Sequence, residues 1–281
     1  MINKRATLLF PGEIDMMDPR KNPPDFDRRI LAEGDSWFSF GGWRLQSLLH
    51  NLRYSKNTVV VNLAQPGDTV RRMASLAKNR AFEMQLSRQY GYNWDAILFS
   101  GGGNDIIDDA GQIIPPSATD QPDNMPAENY CDLNALHGTL DGIVAGYEAI
   151  VRLRDGPDSP APGVPIVTHT YDFVTPRDSP ANFLLIRLGP WLYPAMVAAR
   201  IPRLRWNDVS DFVMGSLGAA LIGLEATLPN LHVTQTQGTL KRARLMTRNV
   251  SNDWDNEIHA NAGGYAKIAK RVSANLDAVL R

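Results

Sequence analysis

Short apolar runs alternate with stretches of helical length along this chain, and that alternation constrains its fold more than any other feature. The runs are residues 29–33, 58–63, 95–100, 164–170 and 230–235; the intervening helical patterns cover 42–53, 69–89, 133–154, 207–227 and 262–280. Strands that alternate with helices close through right-handed crossovers into a doubly wound parallel sheet with helices on both faces. The expectation is a three-layer α/β/α domain around a central five-stranded parallel sheet, spanning all 281 residues. Ligands of such sheets bind beyond the carboxyl ends of the strands. The residues that follow each run are therefore the ones to read for chemistry.

The first run leads into Gly34-Asp35-Ser36-Trp37-Phe38, which sets a serine oxygen at the carboxyl edge of the sheet beside a helix start. Taken alone, a Ser after Asp is more often a helix cap. The second run, Val59 to Leu63, passes through a Pro66-Gly67 turn, and Gly67 lets the backbone approach a ligand with its N–H exposed. By itself it reads as a plain turn glycine. The third run ends in Gly101-Gly102-Gly103-Asn104-Asp105. Three glycines weaken regular structure and signal an unusual conformation or a close approach; Asn104 either caps the next helix or offers its amide to a developing oxyanion. Near the C-terminus, Asp253-Trp254-Asp255-Asn256-Glu257-Ile258-His259 places a histidine among carboxylates just before an amphipathic helix carrying Tyr265, Ile268, Ala269, Val272, Leu276 and Val279. Such a histidine suits a general base whose tautomer an acid fixes, and read locally it is equally a solvated surface residue.

In this order, Gly34-Asp35-Ser36, Gly67, Gly102-Gly103-Asn104-Asp105 and His259 resemble the four blocks of the SGNH superfamily, the GDSL esterases and lipases, across roughly residues 28 to 275. The resemblance implies a flavodoxin-like sheet and a serine hydrolase, with Ser36 as nucleophile and His259 as base. It also implies an oxyanion hole formed by the Ser36 N–H, the Gly67 N–H and the Asn104 side chain. Two positions depart from the family pattern. Asn256 stands three residues before the histidine, where the family usually has Asp, and Ala260 follows it where Pro is common. Asp253, Asp255 and Glu257 are all near enough to supply the acid, and Asp253 is favoured because Trp254 is placed to fold the segment back. The alternative is a Ser-His dyad in which Asn256 or a backbone carbonyl merely orients the ring.

Other segments bear on the substrate. Residues 173–206 combine apolar density from Phe183 through Leu184, Leu185, Trp191, Leu192 and Tyr193 to Val197 with Pro190 and Pro194. This reads as an apolar cap or acyl-chain pocket inserted after the fourth strand, or else as core or a dimer surface. The proline-rich stretch 111–130 reads as an irregular loop, either an active-site wall or a surface excursion. His169 ends the fourth run, where it either lines the pocket, replaces His259 as base, or is a buried structural residue. Trp37 clusters with Phe38, Phe40 and Trp43; such an aromatic cluster is more often core, although Trp37 is also placed to border the substrate.

A net charge of −1 argues against an electrostatic nucleic-acid binder. Cys131 is the single cysteine, so no intrachain disulfide forms. No secretory signal and no run of roughly 18 apolar residues are visible, so the expected location is cytoplasmic, without a transmembrane segment. No metal-ligand cluster or cofactor motif stands out, and acyl-serine chemistry needs neither. The expected partner is a small-molecule ester or lipid, with a homo-oligomer open. A non-catalytic binding protein on the same fold, or an acyltransferase, is the alternative.

Overall fold

Ile30, Leu31 and Ala32 are fully buried in succession, as a parallel strand covered on both faces requires. They belong to the sheet at the centre of the computed structural model, which describes residues 4–10, 26–39, 47–75, 77–89, 92–183 and 186–281. The strands are β1 (Thr7–Leu9), β2 (Arg28–Gly34), β3 (Thr58–Asn62), β4 (Ala96–Ser100), β5 (Ile166–His169), β6 (Ala181–Phe183), β7 (Ile186–Leu188) and β8 (Leu231–Thr234). The helices are α1 (Ser36–Ser39), α2 (Leu48–Asn51), α3 (Val70–Met73), α4 (Arg80–Gln85), α5 (Gly103–Asp108), α6 (Ala110–Ile113), α7 (Leu133–Arg154), α8 (Leu192–Ala198), α9 (Trp206–Thr227) and α10 (Ala262–Val279).

Six strands pair in the order β1-β3-β2-β4-β5-β8, all of them parallel. Without β1 this is the doubly wound order that reverses beside its first strand, with the switch point between β2 and β4. Helices α2 and α10 pack together on one side, while α3, α7 and α9 form the other layer. The sheet has one strand more than the five expected. The additional strand, β1, is three residues long and pairs on β3 at the sheet edge.

The helical pattern over 69–89 is interrupted. It forms α3 and α4, because Asn79 caps a fresh start by accepting the Phe82 N–H while its amide reaches Glu33 on β2. Of the pattern over 42–53, α2 is described; residues 42–46 lie outside the described residues. Helix α9 is long and apolar enough to cross a membrane by length and composition. Its Val209, Val213, Leu217 and Leu221 are buried, and the helix packs on β8 and α7. Strands β6 and β7 form a separate antiparallel hairpin within 173–206.

Candidate active site

The switch point gathers the ends of β2, β4 and β5. Gly34 pairs in register with Ser100, and a Cβ at position 34 would meet Ser100 Cβ and carbonyl at 2.8 Å, so only glycine lets the strands close there. The chain then turns into α1 with Ser36 as its first residue. The Asp35 carboxylate, buried at 2% exposure, holds the turn: Oδ1 accepts from the Trp37 N–H at 2.9 Å and from Ser100 Oγ at 3.1 Å, and Oδ2 accepts from the Tyr171 hydroxyl. Burial pushes the Asp35 carboxyl up to about 7 against the opposing pull of these donors.

His259 arrives from the other end of the chain. Backbone bridges from Trp254 to Ser251 and to Ala260 fold the loop back, and the His259 carbonyl accepts from the Asp255 N–H at 2.9 Å. This sets His259 Nε2 at 2.8 Å from Ser36 Oγ, and Nδ1 at 3.0 Å from Asn256 Oδ1. The same Oδ1 accepts the Ile258 N–H at 3.1 Å and the His259 N–H at 2.9 Å. Those two backbone donors dictate that the amide presents oxygen to the ring. An acceptor facing Nδ1 then requires the proton on Nδ1, which leaves the Nε2 lone pair for the Ser36 hydroxyl. Among the described residues the buried Asn256 Nδ2 meets no hydrogen-bond partner. Desolvation lowers His259 to about 4.

The expected pairing of Asp253 with His259 is corrected by this geometry. Trp254 does fold the segment back, but the fold brings position 256 to the ring. Asp253 lies against the start of α10, its carboxylate accepting from the Lys241 N–H and Lys267 Nζ, each at 2.6 Å, and its carbonyl accepting from the Asn261 N–H. Gly264 packs on that carbonyl so closely that a Cβ there would stand 2.4 Å away. The Glu257 carboxylate, the third acidic candidate, is committed to backbone donors at residues 177 and 191–193.

Asn104 sits in the first turn of α5, which starts after Gly102 in the left-handed region at φ 114°. Its Nδ2 donates to the Asp68 carbonyl at 2.9 Å, and Asp105 Oδ2 accepts the Val70 N–H at 2.9 Å. These two bonds fasten the β4–α5 corner to the β3–α3 corner. Gly67, at φ 78°, lies on the exposed turn before α3; its carbonyl accepts from the Arg72 guanidinium, whose Nε pairs with Asp68 at 3.1 Å. Ser36 and Asn104 both line the cleft at the switch point, whereas Gly67 stands outside that lining.

The cleft encloses about 380 Å³, counting space open to solvent. Ile107, Val174, Leu192, Met214 and Ile258 form its apolar walls. Val174 and Leu192 come from the segment 173–206, and none of the lining comes from 111–130. Trp37 lines the cleft, and its Nε1 donates to the Ile258 carbonyl at 3.2 Å, bracing the loop that carries His259. Phe40 and Trp43, expected beside it, lie outside the described residues, as do Leu184 and Leu185.

His169 does not border the cleft, contrary to the reading of it as a substrate contact. It is 1% exposed behind Trp37, with the rings stacked at 5.5 Å, and its Nε2 and Nδ1 meet Ser100 Oγ and the Thr170 carbonyl, each at 3.1 Å. Its burial lowers it to about 4. Tyr171 escaped the sequence reading: it lines the cleft and holds Asp35, and its signal was its place at the end of β5, beside the more conspicuous His169. Glu257 was read as a candidate acid; that it gathers backbone N–H groups left no signal, because its donors lie more than 60 residues away in sequence. Among the described residues no group of three His, Cys, Asp or Glu stands together as a metal site.

No family model matches the chain, and no curated protein matches it. Solved structures do resemble it. A carbohydrate acetylesterase from Sinorhizobium meliloti is 11% identical, with 90% of this chain and 100% of that one covered and a TM-score of 0.46. A family 3 carbohydrate esterase from Clostridium thermocellum is 13% identical over 90% and 97% of the two chains, with a TM-score of 0.45. An α/β hydrolase enzyme from the metagenome of Lake Arreo, Spain, is 18% identical over 91% and 97%, also with a TM-score of 0.45.

Proposed function

We propose that the protein is a serine ester hydrolase of the SGNH type that works with a Ser36-His259 pair oriented by a neutral Asn256. The observation that carries this reading is the relay Asn256 Oδ1–His259–Ser36 Oγ, with contacts of 3.0 and 2.8 Å, opening on an apolar cleft. A serine hydroxyl is a weak nucleophile until a base accepts its proton. His259 Nε2 takes that proton as Oγ bonds to the ester carbonyl carbon. The oxygen of the tetrahedral intermediate then faces the Ser36 N–H, which lies in the first turn of α1 and has no acceptor within the helix. The Asn104 amide, which lines the same cleft, is the further donor, whereas Gly67, expected as a third, stands outside the lining. Collapse breaks the ester C–O bond, and the Nε2 proton leaves with the alcohol. Water repeats the sequence on the acyl-serine and releases the acid; an alcohol in its place makes the same chemistry an acyl transfer.

The apolar walls from Ile107, Val174, Leu192, Met214 and Ile258 suit the short or medium acyl chain of a carboxylic ester. The test is labelling by a fluorophosphonate together with hydrolysis of p-nitrophenyl acetate. Wild type should be labelled and active, and Ser36→Ala should be folded, unlabelled and inactive. Labelling or turnover that survives in Ser36→Ala refutes the assignment; a wild type that is neither labelled nor active favours a non-catalytic binder on this fold.

A further inference from the structure

Glu257 is an unusual carboxylate. It is 1% exposed, yet its four hydrogen bonds all come from the backbone and none from a charged side chain. Each oxygen accepts two N–H groups. Oε1 takes Arg177 at 3.1 Å and Tyr193 at 2.8 Å; Oε2 takes Leu192 at 3.1 Å and also Trp191. Three of these donors are consecutive and open α8, where backbone N–H groups lack partners within the helix. A cap of this kind usually comes from a neighbouring residue. Here it comes from the loop that presents the base, one residue after Asn256 and two before His259.

The captured turn reaches the site on two sides. The edge of the Trp191 ring meets the His259 ring, with centroids 5.7 Å apart and planes at 76°. Leu192 is buried and forms part of the apolar wall of the cleft. Arg177 closes the circuit: its N–H goes to Glu257, and its guanidinium donates to the carbonyls of Asn256, Thr247 and Asn249. The Glu257 side chain thus ties the turn at residues 191–193 to the loop that carries His259.

We propose that Glu257 is a positioning residue that sets acyl-chain preference, by holding Trp191 and Leu192 at a fixed place relative to the Ser36-His259 pair. This deepens the ester-hydrolase reading and rests on it. A glutamine cannot substitute, because whichever way its amide turns, an NH₂ group faces two N–H donors. The wall then shifts while the Asn256-His259-Ser36 contacts, which do not involve the Glu257 side chain, remain.

The experiment compares kcat and KM for p-nitrophenyl acetate and p-nitrophenyl butyrate in wild type, Glu257→Gln, Leu192→Ala and the double variant. One methylene in an apolar pocket is worth roughly tenfold or more. Glu257→Gln should therefore change the acetate-to-butyrate ratio of kcat/KM by about that factor, chiefly through KM, and should change it little further in the Leu192→Ala background. Equal loss on both esters, or full additivity with Leu192→Ala, overturns the proposal. Hydrogen exchange at the amides of residues 191–193 supplies a readout that needs no turnover: it should accelerate in Glu257→Gln, and unchanged protection overturns the proposal even if the chain hydrolyses no ester. Should Glu257→Gln not fold, Glu257→Asp, which keeps both acceptors on a shorter arm, should produce the same changes in smaller measure; an unchanged ratio and unchanged exchange there also overturn it.

Discussion

Replacing Asn256 by Asp adds a negative charge beside the base without moving it. Asn256 Oδ1 lies 3.0 Å from His259 Nδ1 and is held by the Ile258 and His259 N–H groups, all of which an aspartate retains. With charge centres about 4 Å apart and an effective dielectric near 20, the attraction between the introduced carboxylate and the imidazolium is about 4 kcal/mol. At 1.36 kcal/mol per pH unit, that raises His259 by about three units. In the wild type, burial holds His259 at about 4. The base must be neutral to accept the Ser36 proton, so activity falls as pH drops through its pKa. Wild type should keep kcat/KM well below the ordinary histidine value of about 6.5, whereas Asn256→Asp should lose it near pH 7. Above that, the same attraction stabilises the imidazolium that forms in the transition state, which raises kcat by at most about 10³. The gain is smaller than the roughly 10⁴ associated with a triad aspartate, because much of that figure reflects the wrong tautomer and Asn256 already imposes the right one. The second carboxylate oxygen falls where Nδ2 has no partner; its desolvation, which exceeds the figure of about 1–3 kcal/mol for a neutral group, burdens ground and transition states alike and lowers the melting temperature instead. The assay is kcat/KM for p-nitrophenyl acetate across the range from about pH 4 to 9. An acid limb that does not move in Asn256→Asp, or a wild-type limb at or above the ordinary histidine value, refutes the reasoning.

Two further substitutions test the remaining assignments. Asn104→Ala should lower kcat about a hundredfold or more, the usual consequence of losing an oxyanion donor; an effect confined to KM would make Asn104 a binding residue. Asp253→Asn should leave kcat within about twofold, since its carboxylate serves Lys267 and the Lys241 N–H, and an exposed ion pair of this kind contributes about 1 kcal/mol or less to stability. A loss of kcat beyond about tenfold in that variant, approaching what a triad acid is worth, would restore Asp253 as the acid.

The sequence by itself determined the layered architecture and the positions at which to look for chemistry. Apolar runs at 29–33, 58–63 and 95–100 correspond to β2, β3 and β4, because strands buried on both faces must be continuously apolar. Helices α7, α9 and α10 likewise follow from long amphipathic patterns. The pairing of Ser36 with His259 was an expectation from the resemblance of four ordered sequence blocks and not from either residue's local pattern; the fold sets the two side chains 2.8 Å apart. Tertiary structure alone decided which neighbour meets the His259 ring. Asp253 and Asn256 both lie close to His259 along the chain, and linear proximity gives no measure of direction. The Trp254 bridges and the packing of Gly264 turn Asp253 toward Lys267 and Asn256 toward the ring. The short apolar stretch that forms β1 did not declare itself a strand, since an edge strand of three residues takes its place from its pairing with β3. His169 and Glu257 show the same limit from opposite sides. A residue at a strand end is buried or exposed according to what covers it, here Trp37, and a carboxylate in a loop is solvated or committed according to which distant N–H groups the fold brings to it. Local periodicity encodes burial along one element, whereas the direction of a side chain and the partners it meets depend on contacts between elements far apart in the chain.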